Sequence, residues 1–217
     1  TPYQAREGAK AVAVDWEVLP HVVDESRALE EGAPRVHPEG NQVKKDTYER
    51  GDVHQGFEEA EVVLEETYVT PCELHTPLEL HGCVAAWERD RLTVWESTQG
   101  VYAVQSLVAR ILGLPLAKVR VIGHYLGGGF GSKLQAGKYT VAAALLARRT
   151  ARPVKLLLSR EETYLAVGNR PANHMRLKAG IRKDGTLTAL EFSALGSGGA
   201  YPAGGTALVD WLVRDLY

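Results

Sequence analysis

Between residues 98 and 133 the sequence passes through three incompatible periodicities with no spacer. Val101, Val104, Leu107, Val108, Ile111 and Leu112 recur at helical spacing and form one apolar face. Gly113 and Pro115 stop that face, because a left-handed cap and then a ring without an N–H both end a helix. "KVRVIG" then alternates as a strand does, and "HYLGGGFGSK" follows with almost no side chains. The segment after it, "YTVAAALLARR", reads as a second helix. A chain that runs helix, strand, bare loop and helix within fifty residues belongs to an α+β (mixed α/β) architecture.

The rest of the chain supplies strands. "HGCVAAWERDRLTVWEST" and "HMRLKAGIRKDGTLTALEFSAL" each read as two alternating runs joined by a polar turn, the second turn marked by Asp184-Gly185. Single strands are expected at residues 62–69 and 153–159, and at 11–20, where Val12, Val14, Trp16 and Val18 alternate. Asp52 is placed to cap a short helix through Val53, Phe57 and Ala60, and "REETYLA" suits a helical turn. Residues 24–51 are charged, poor in apolar periodicity and longer than the ~12–15 residues of an ordinary connection. This segment is expected to be a linker between two units. A second glycine-rich stretch, "GSGGAYPAGG", follows the last strand.

Charge excludes some classes of function. Lys plus Arg is 25 against 27 Asp plus Glu, for a formal charge of -2, which gives no broad footprint for nucleic acid or an anionic membrane. The basic residues that do cluster, Arg148, Arg149 and Arg152, suit a solvated helix C-terminus. No apolar run approaches the ~20 residues of a membrane helix, and the expected location is cytoplasmic. Cys72 and Cys83 lack any metal-ligand spacing and are expected to be reduced and half buried. The chain begins "TPYQA" and stops at "RDLY", as expected of a piece of a longer polypeptide.

The bare loop sits between a strand and a helix, where phosphate cradles occur. A nucleotide P-loop needs a lysine followed by a hydroxyl; here Ser132 precedes Lys133 and Leu134 follows it. A dinucleotide fingerprint needs a third glycine where this chain has Ser132 or Leu134, depending on the frame. Two readings survive: a tight turn whose glycines permit positive φ, and a nest of backbone N–H groups open to an anion or an oxo group. Phe130 favours the second, since a large ring in a bare loop suits the wall of a pocket.

The combination of Ser97-Thr98-Gln99, a helix ending Leu-Gly-Leu-Pro, a strand, and GGGFG before Lys133 resembles the molybdenum-binding subunit of the xanthine dehydrogenase and aldehyde oxidase family of molybdenum hydroxylases. "GDVHQGFEEAEVVLEETYVTPCELHTPLELHGCVAAW" and "ARRTARPVKLLLSREE" match the family in order and spacing. The resemblance implies a molybdenum cofactor-binding domain-like fold, with residues 1–24 as the end of a hammerhead-like domain, 25–51 as the linker and 52–217 as the first part of the molybdopterin-binding domain.

It also implies roles. Gln99 matches a glutamine that hydrogen-bonds an oxo ligand of the metal centre, although it could instead cap the following helix. Gly128, Gly129 and Gly131 would bring backbone close to a molybdenum–molybdopterin cofactor, in a dinucleotide form, and Phe130 would line the substrate channel. Purine-oxidising members carry a glutamate where this chain has Leu134, which favours an aldehyde or an apolar ring as substrate. The implied reaction is hydroxylation of aldehydes or aromatic N-heterocycles with water-derived oxygen, with electrons passing to iron–sulfur and FAD partner domains or subunits. The general base, a glutamate, is expected beyond Tyr217, so this fragment alone is expected to be inactive. Glu79, His75 and His81 are expected to be solvated or hydrogen-bonded strand residues with no metal between them. The rival reading is a non-catalytic anion-binding or assembly module of the same fold.

Overall fold

The computed structural model describes residues 1–217 except 44, 202–211 and 217. In chain order its elements are α1 (Pro2–Lys10), α2 (Val53–Glu58), β1 (Val62–Thr70), β2 (Gly82–Glu88), β3 (Arg91–Glu96) and α3 (Val101–Leu112). β4 (Val119–Ile122), α4 (Lys138–Thr150), β5 (Val154–Leu157), α5 (Arg160–Ala166), β6 (Asn173–Ile181) and β7 (Leu187–Gly196) follow.

The strands form two sheets. One is antiparallel with order β1-β6-β7, and its β6–β7 hairpin closes through Gly185 at φ 89. The short helix α2, capped by Asp52 accepting from Gln55 N, packs on this sheet so closely that a Cβ on Gly56 would meet the side chain of Ala189 at 3.0 Å. The other sheet has order β4-β3-β2-β5, with β3 and β4 parallel and the remaining pairs antiparallel. Parallel neighbours cannot be joined by a tight turn, and α3 makes the crossover.

The core lies between this second sheet and the helices α3 and α4. Leu92 and Val94 from β3, Val104 and Val108 from α3, and Ala143, Ala144 and Ala147 from α4 are all buried. Small residues on α4 let it approach the sheet closely, and Trp87 Nε1 donates to the Ala144 carbonyl at 2.8 Å.

Glu96 faces the same core. Its Oε1 accepts from Thr140 Oγ1 at 2.9 Å and Tyr139 OH at 3.3 Å, while Oε2 is buried without a partner. Burial pushes the carboxyl from 4.5 up to about 7, against the pull of those two hydroxyls. The folded state therefore binds this proton more tightly than the unfolded chain does. Its contribution to stability is present below pH 4.5 and is lost as pH rises through about 7. Glu96→Gln, which mimics the protonated acid, is expected to remove about 1–3 kcal/mol of stability loss between pH 5 and pH 8. Urea midpoints at the two pH values measure this; an unchanged pH slope in the variant would remove Glu96 as its source.

Two expectations are corrected, and one cap differs from the Ser97 or Thr98 that precedes the apolar face in sequence. Residues 12–20 pair with no strand among the described residues, and Val12, Val14, Trp16 and Val18 are exposed. Alternation marks a strand only where a neighbour supplies the ladder, and the regular element here is α1 just before it, capped by Thr1 through the Gln4 amide. The cysteines are free, but neither is half buried: Cys72 is exposed and Cys83 is buried, and burial pushes the Cys83 thiol up to about 12. Helix α3 has Gly100 as its N-cap, with no side-chain cap; Thr98 Oγ1 accepts from Gly100 N just outside it.

Candidate functional site

Because β3 and β4 run parallel, their C-terminal ends open on the same side of the sheet. The chain leaves β3 through Ser97, Thr98 and Gln99, and it leaves β4 directly into the glycine loop. Loops outside the carboxyl ends of parallel strands form crevices with free backbone groups. Here the crevice brings together residues more than thirty positions apart in sequence.

Gln99 is the meeting point. Its Oε1 accepts from Gly131 N at 2.9 Å and from Lys133 N at 3.2 Å, and its own N–H donates to the Lys133 carbonyl at 2.8 Å. Both partners of the side chain are donors, so the amide oxygen must face them and the NH₂ must face away. That NH₂ donates to no acceptor among the described residues, and Gln99 is exposed. The side chain is thus fixed by its oxygen and presents a neutral donor on its open side. It is not a helix cap.

The glycines serve different needs. A Cβ on Gly129 would lie 2.6 Å from Gln99 Cδ, and one on Gly127 would lie 2.5 Å from Glu79 Cβ, so these two are bare to admit side chains of the same molecule. Gly128 and Gly131 have φ of 92 and 98, where an L side chain is strained. The N–H groups of Gly128, Gly129 and Phe130 donate to no acceptor among the described residues, although Gly129 is buried. Three successive amides without acceptors among the described residues leave donors that an oxo group or an anion could satisfy.

Phe130 itself has φ 52, and 69% of it is exposed. A non-glycine residue held in the left-handed region, with its ring in solvent, is typical of functional loops. The ring lies close to Gly128: a Cβ there would sit 3.1 Å from Phe130 Cε2, with Pro77 Cβ 3.4 Å from the same point.

Behind the loop lies a partly buried polar layer. Glu79 Oε2 accepts from Gly127 N at 2.7 Å and from the Ser97 hydroxyl, and it pairs with Lys133 Nζ at 3.0 Å. Burial pushes the Glu79 carboxyl up, but these hydrogen bonds and the Lys133 charge outweigh it and hold the group below the usual carboxylate range. His81 is buried and its Nε2 lies 3.0 Å from Ser132 Oγ, which in turn donates to the Gly129 carbonyl at 2.7 Å. Burial and the nearby Lys133 charge depress the His81 pKa, so the ring is neutral. With the serine proton on Gly129 O, Nε2 is the protonated nitrogen.

The structure therefore gathers Gln99, Gly128, Gly129, Phe130 and Gly131 in one crevice. Leu134 stands half exposed just beyond it, where its carbonyl would lie 2.8 Å from a Cβ on Gly100. Glu79 is hydrogen-bonded, as expected, but it lies between β1 and β2 and not in a strand, and it joins both ends of the loop. Its only sequence signal is the His-x-x-x-Glu spacing from His75; the partner that matters, Gly127 N, is backbone and 48 residues away. A hollow lies elsewhere, between residues 21–53 and β7, with Val22, Val36 and Phe192 in its walls.

Residues 36–216 match the molybdopterin cofactor-binding domain family. The nicotinate dehydrogenase large molybdopterin subunit of Eubacterium barkeri is 36% identical over 210 residues, covering 96% of this chain and 49% of the relative. The xanthine dehydrogenase molybdenum-binding subunit of Escherichia coli O157:H7 is 35% identical over 205 residues, covering 94% and 27%. Among solved structures, quinoline 2-oxidoreductase from Pseudomonas putida 86 superposes with a TM-score of 0.83 at 28% identity, over 93% of this chain and 26% of that one. Aldehyde oxidoreductase from Desulfovibrio gigas gives 0.78 at 27% identity, over 90% and 22%. The chain spans about a quarter to a half of the length of these curated relatives.

Proposed function

The chain belongs to the molybdopterin cofactor-binding domain family, and from that premise we propose that it is part of a molybdenum hydroxylase acting on aldehydes or apolar aromatic N-heterocycles. The observation that carries the reading is the pairing of a fixed, outward-facing Gln99 NH₂ with the partnerless amides of Gly128, Gly129 and Phe130. A molybdenum–pterin centre carries oxo and sulfur ligands and a pterin rich in acceptors, and this surface offers it donors without adding charge. The residues present fit such a group. When bound, that group supplies the two-electron oxidation by which water-derived oxygen enters a substrate C–H bond.

This chain's share is binding and orientation. Gln99 would donate to an oxo ligand, and a neutral donor suits this because it stabilises developing negative charge without repelling a metal. The glycine loop would hold the pterin side of the centre through its amides. Phe130 would exclude water and stack a planar substrate against the loop. A dinucleotide form of the pterin, a glutamate base beyond Tyr217, iron–sulfur and FAD groups on partner domains or subunits, and a cytoplasmic setting complete the reading. No helix among the described residues is long and apolar enough to cross a membrane.

Substrate choice tests the proposal. The complete enzyme is expected to contain molybdenum and to prefer benzaldehyde or quinoline over hypoxanthine. Leu134→Glu, by adding a hydrogen-bonding carboxylate beside the pocket, should shift the ratio of kcat/KM toward hypoxanthine by about tenfold. A complete enzyme free of molybdenum would end the reading. An unchanged ratio in Leu134→Glu would remove Leu134 from the pocket.

A further inference from the structure

A lysine at the end of a glycine loop ordinarily reaches out to an anion, but the Lys133 side chain is 0% exposed. Its ammonium donates to Ser97 Oγ at 2.9 Å, to the Glu79 carbonyl at 3.0 Å and to Glu79 Oε2 at 3.0 Å. Three protons meet three acceptors, which leaves nothing for a ligand. Stability alone does not demand an ion pair in this place, since apolar side chains of similar volume replacing both partners would fill the space without the desolvation cost.

The connections suggest another purpose. Through Glu79 Oε2 the cluster holds Gly127 N, at the start of the loop; through the Lys133 chain it holds the end. Glu79 N also donates to the Gly127 carbonyl at 3.1 Å. Thr98 Oγ1 donates to the Lys133 carbonyl at 2.9 Å, and Gln99 exchanges two hydrogen bonds with the Lys133 backbone. The buried ammonium is therefore anchored to the same backbone unit that orients the Gln99 amide.

We infer that Glu79 and Ser97, closing on the buried Lys133 ammonium, form a pin that presets the glycine loop and, through the Lys133 backbone, aims the Gln99 NH₂. Lys133 is a positioning residue and not an anion-binding lysine. The inference rests on the role proposed for Gln99.

The test is a double-mutant cycle in the complete enzyme, joined to amide exchange on the same protein without cofactor. Lys133→Met is expected to lower kcat about 30-fold with KM changed less than about threefold, and to speed exchange at Gly127 and Gly131 at least tenfold. In a Gln99→Ala background the kcat cost of Lys133→Met should fall below about threefold, because the residue through which it acts is gone. A full, additive loss in that background overturns the inference, as does unchanged exchange whatever the activity. If Lys133→Met does not fold, Ser97→Ala removes one acceptor and keeps the ion pair, and it must show the same pattern at about fivefold. Faster exchange in Lys133→Met, with a harmless Gln99→Ala, would sink the role of Gln99 and leave the pin standing.

Discussion

Replacing Gln99 with glutamate is expected to lower kcat of the complete enzyme by about 10²- to 10³-fold, the usual cost of losing one preorganised donor at a charge-developing oxygen. Glutamate is the informative choice because it keeps what the structure shows the side chain already doing. Its carboxylate oxygen can still accept from Gly131 N and Lys133 N, now at 2.9 and 3.2 Å from Gln99 Oε1. The loop should therefore stay in place and the protein should remain folded. Only the outward NH₂ is lost, with a negative charge in its stead. Thermal midpoint and amide exchange should be close to wild type while turnover collapses. If Gln99→Glu turned over normally, the outward donor would have no part in the reaction and the proposed function would lose its main support. If instead the loop amides exchanged freely, the role of Gln99 would be structural.

Gly129→Ala should be nearly as costly, for a steric reason. The backbone at Gly129 does not have positive φ, so alanine meets no conformational penalty there. Its Cβ would nevertheless lie 2.6 Å from Gln99 Cδ and 2.8 Å from Cγ, and in contact with Oε1, too close for any of them to remain. Either the glutamine or the loop must move, at a cost of about 1–3 kcal/mol in stability, as for other overpacked sites. Activity should fall about 100-fold if a displacement near 1 Å misaims the amide. The mechanism predicts a specific rescue: in Gln99→Ala/Gly129→Ala the clash is gone, so the double variant should be more stable than Gly129→Ala alone. Additive destabilisation in the double variant would show that the two residues do not collide. Gly131 offers a contrast, because its nearest neighbour to a new Cβ is His75 Nε2 at 3.7 Å, and only its φ of 98 opposes a side chain.

Most elements were legible because their signals are local. The apolar face of α3, its stop at Gly113, the Asp52 cap of α2 and the Asp184-Gly185 turn each depend on residues within one or two helical turns of one another. The segment at residues 12–20 misled for the complementary reason. Its alternation is real, but a strand exists only through hydrogen bonds to a neighbour, and no pattern within the segment can supply one.

The candidate site divides along the same line. From residue types alone, GGGFG announces a loop cleared for close approach, and Gln99 is singled out by its match to a family motif. What the sequence could not convey is which side of each residue is used. Gly127 and Gly129 are bare toward Glu79 and Gln99, within the molecule, and Lys133 turns inward to a carboxylate 54 residues earlier in the chain. Those contacts arise because β3 and β4 lie parallel and register Leu92 with Val119, which carries the two following loops to the same edge of the sheet. Donor, glycine and lysine types are written residue by residue. Their mutual distances follow from strand pairing, a long-range choice made by the burial of the α3 and α4 faces on one sheet.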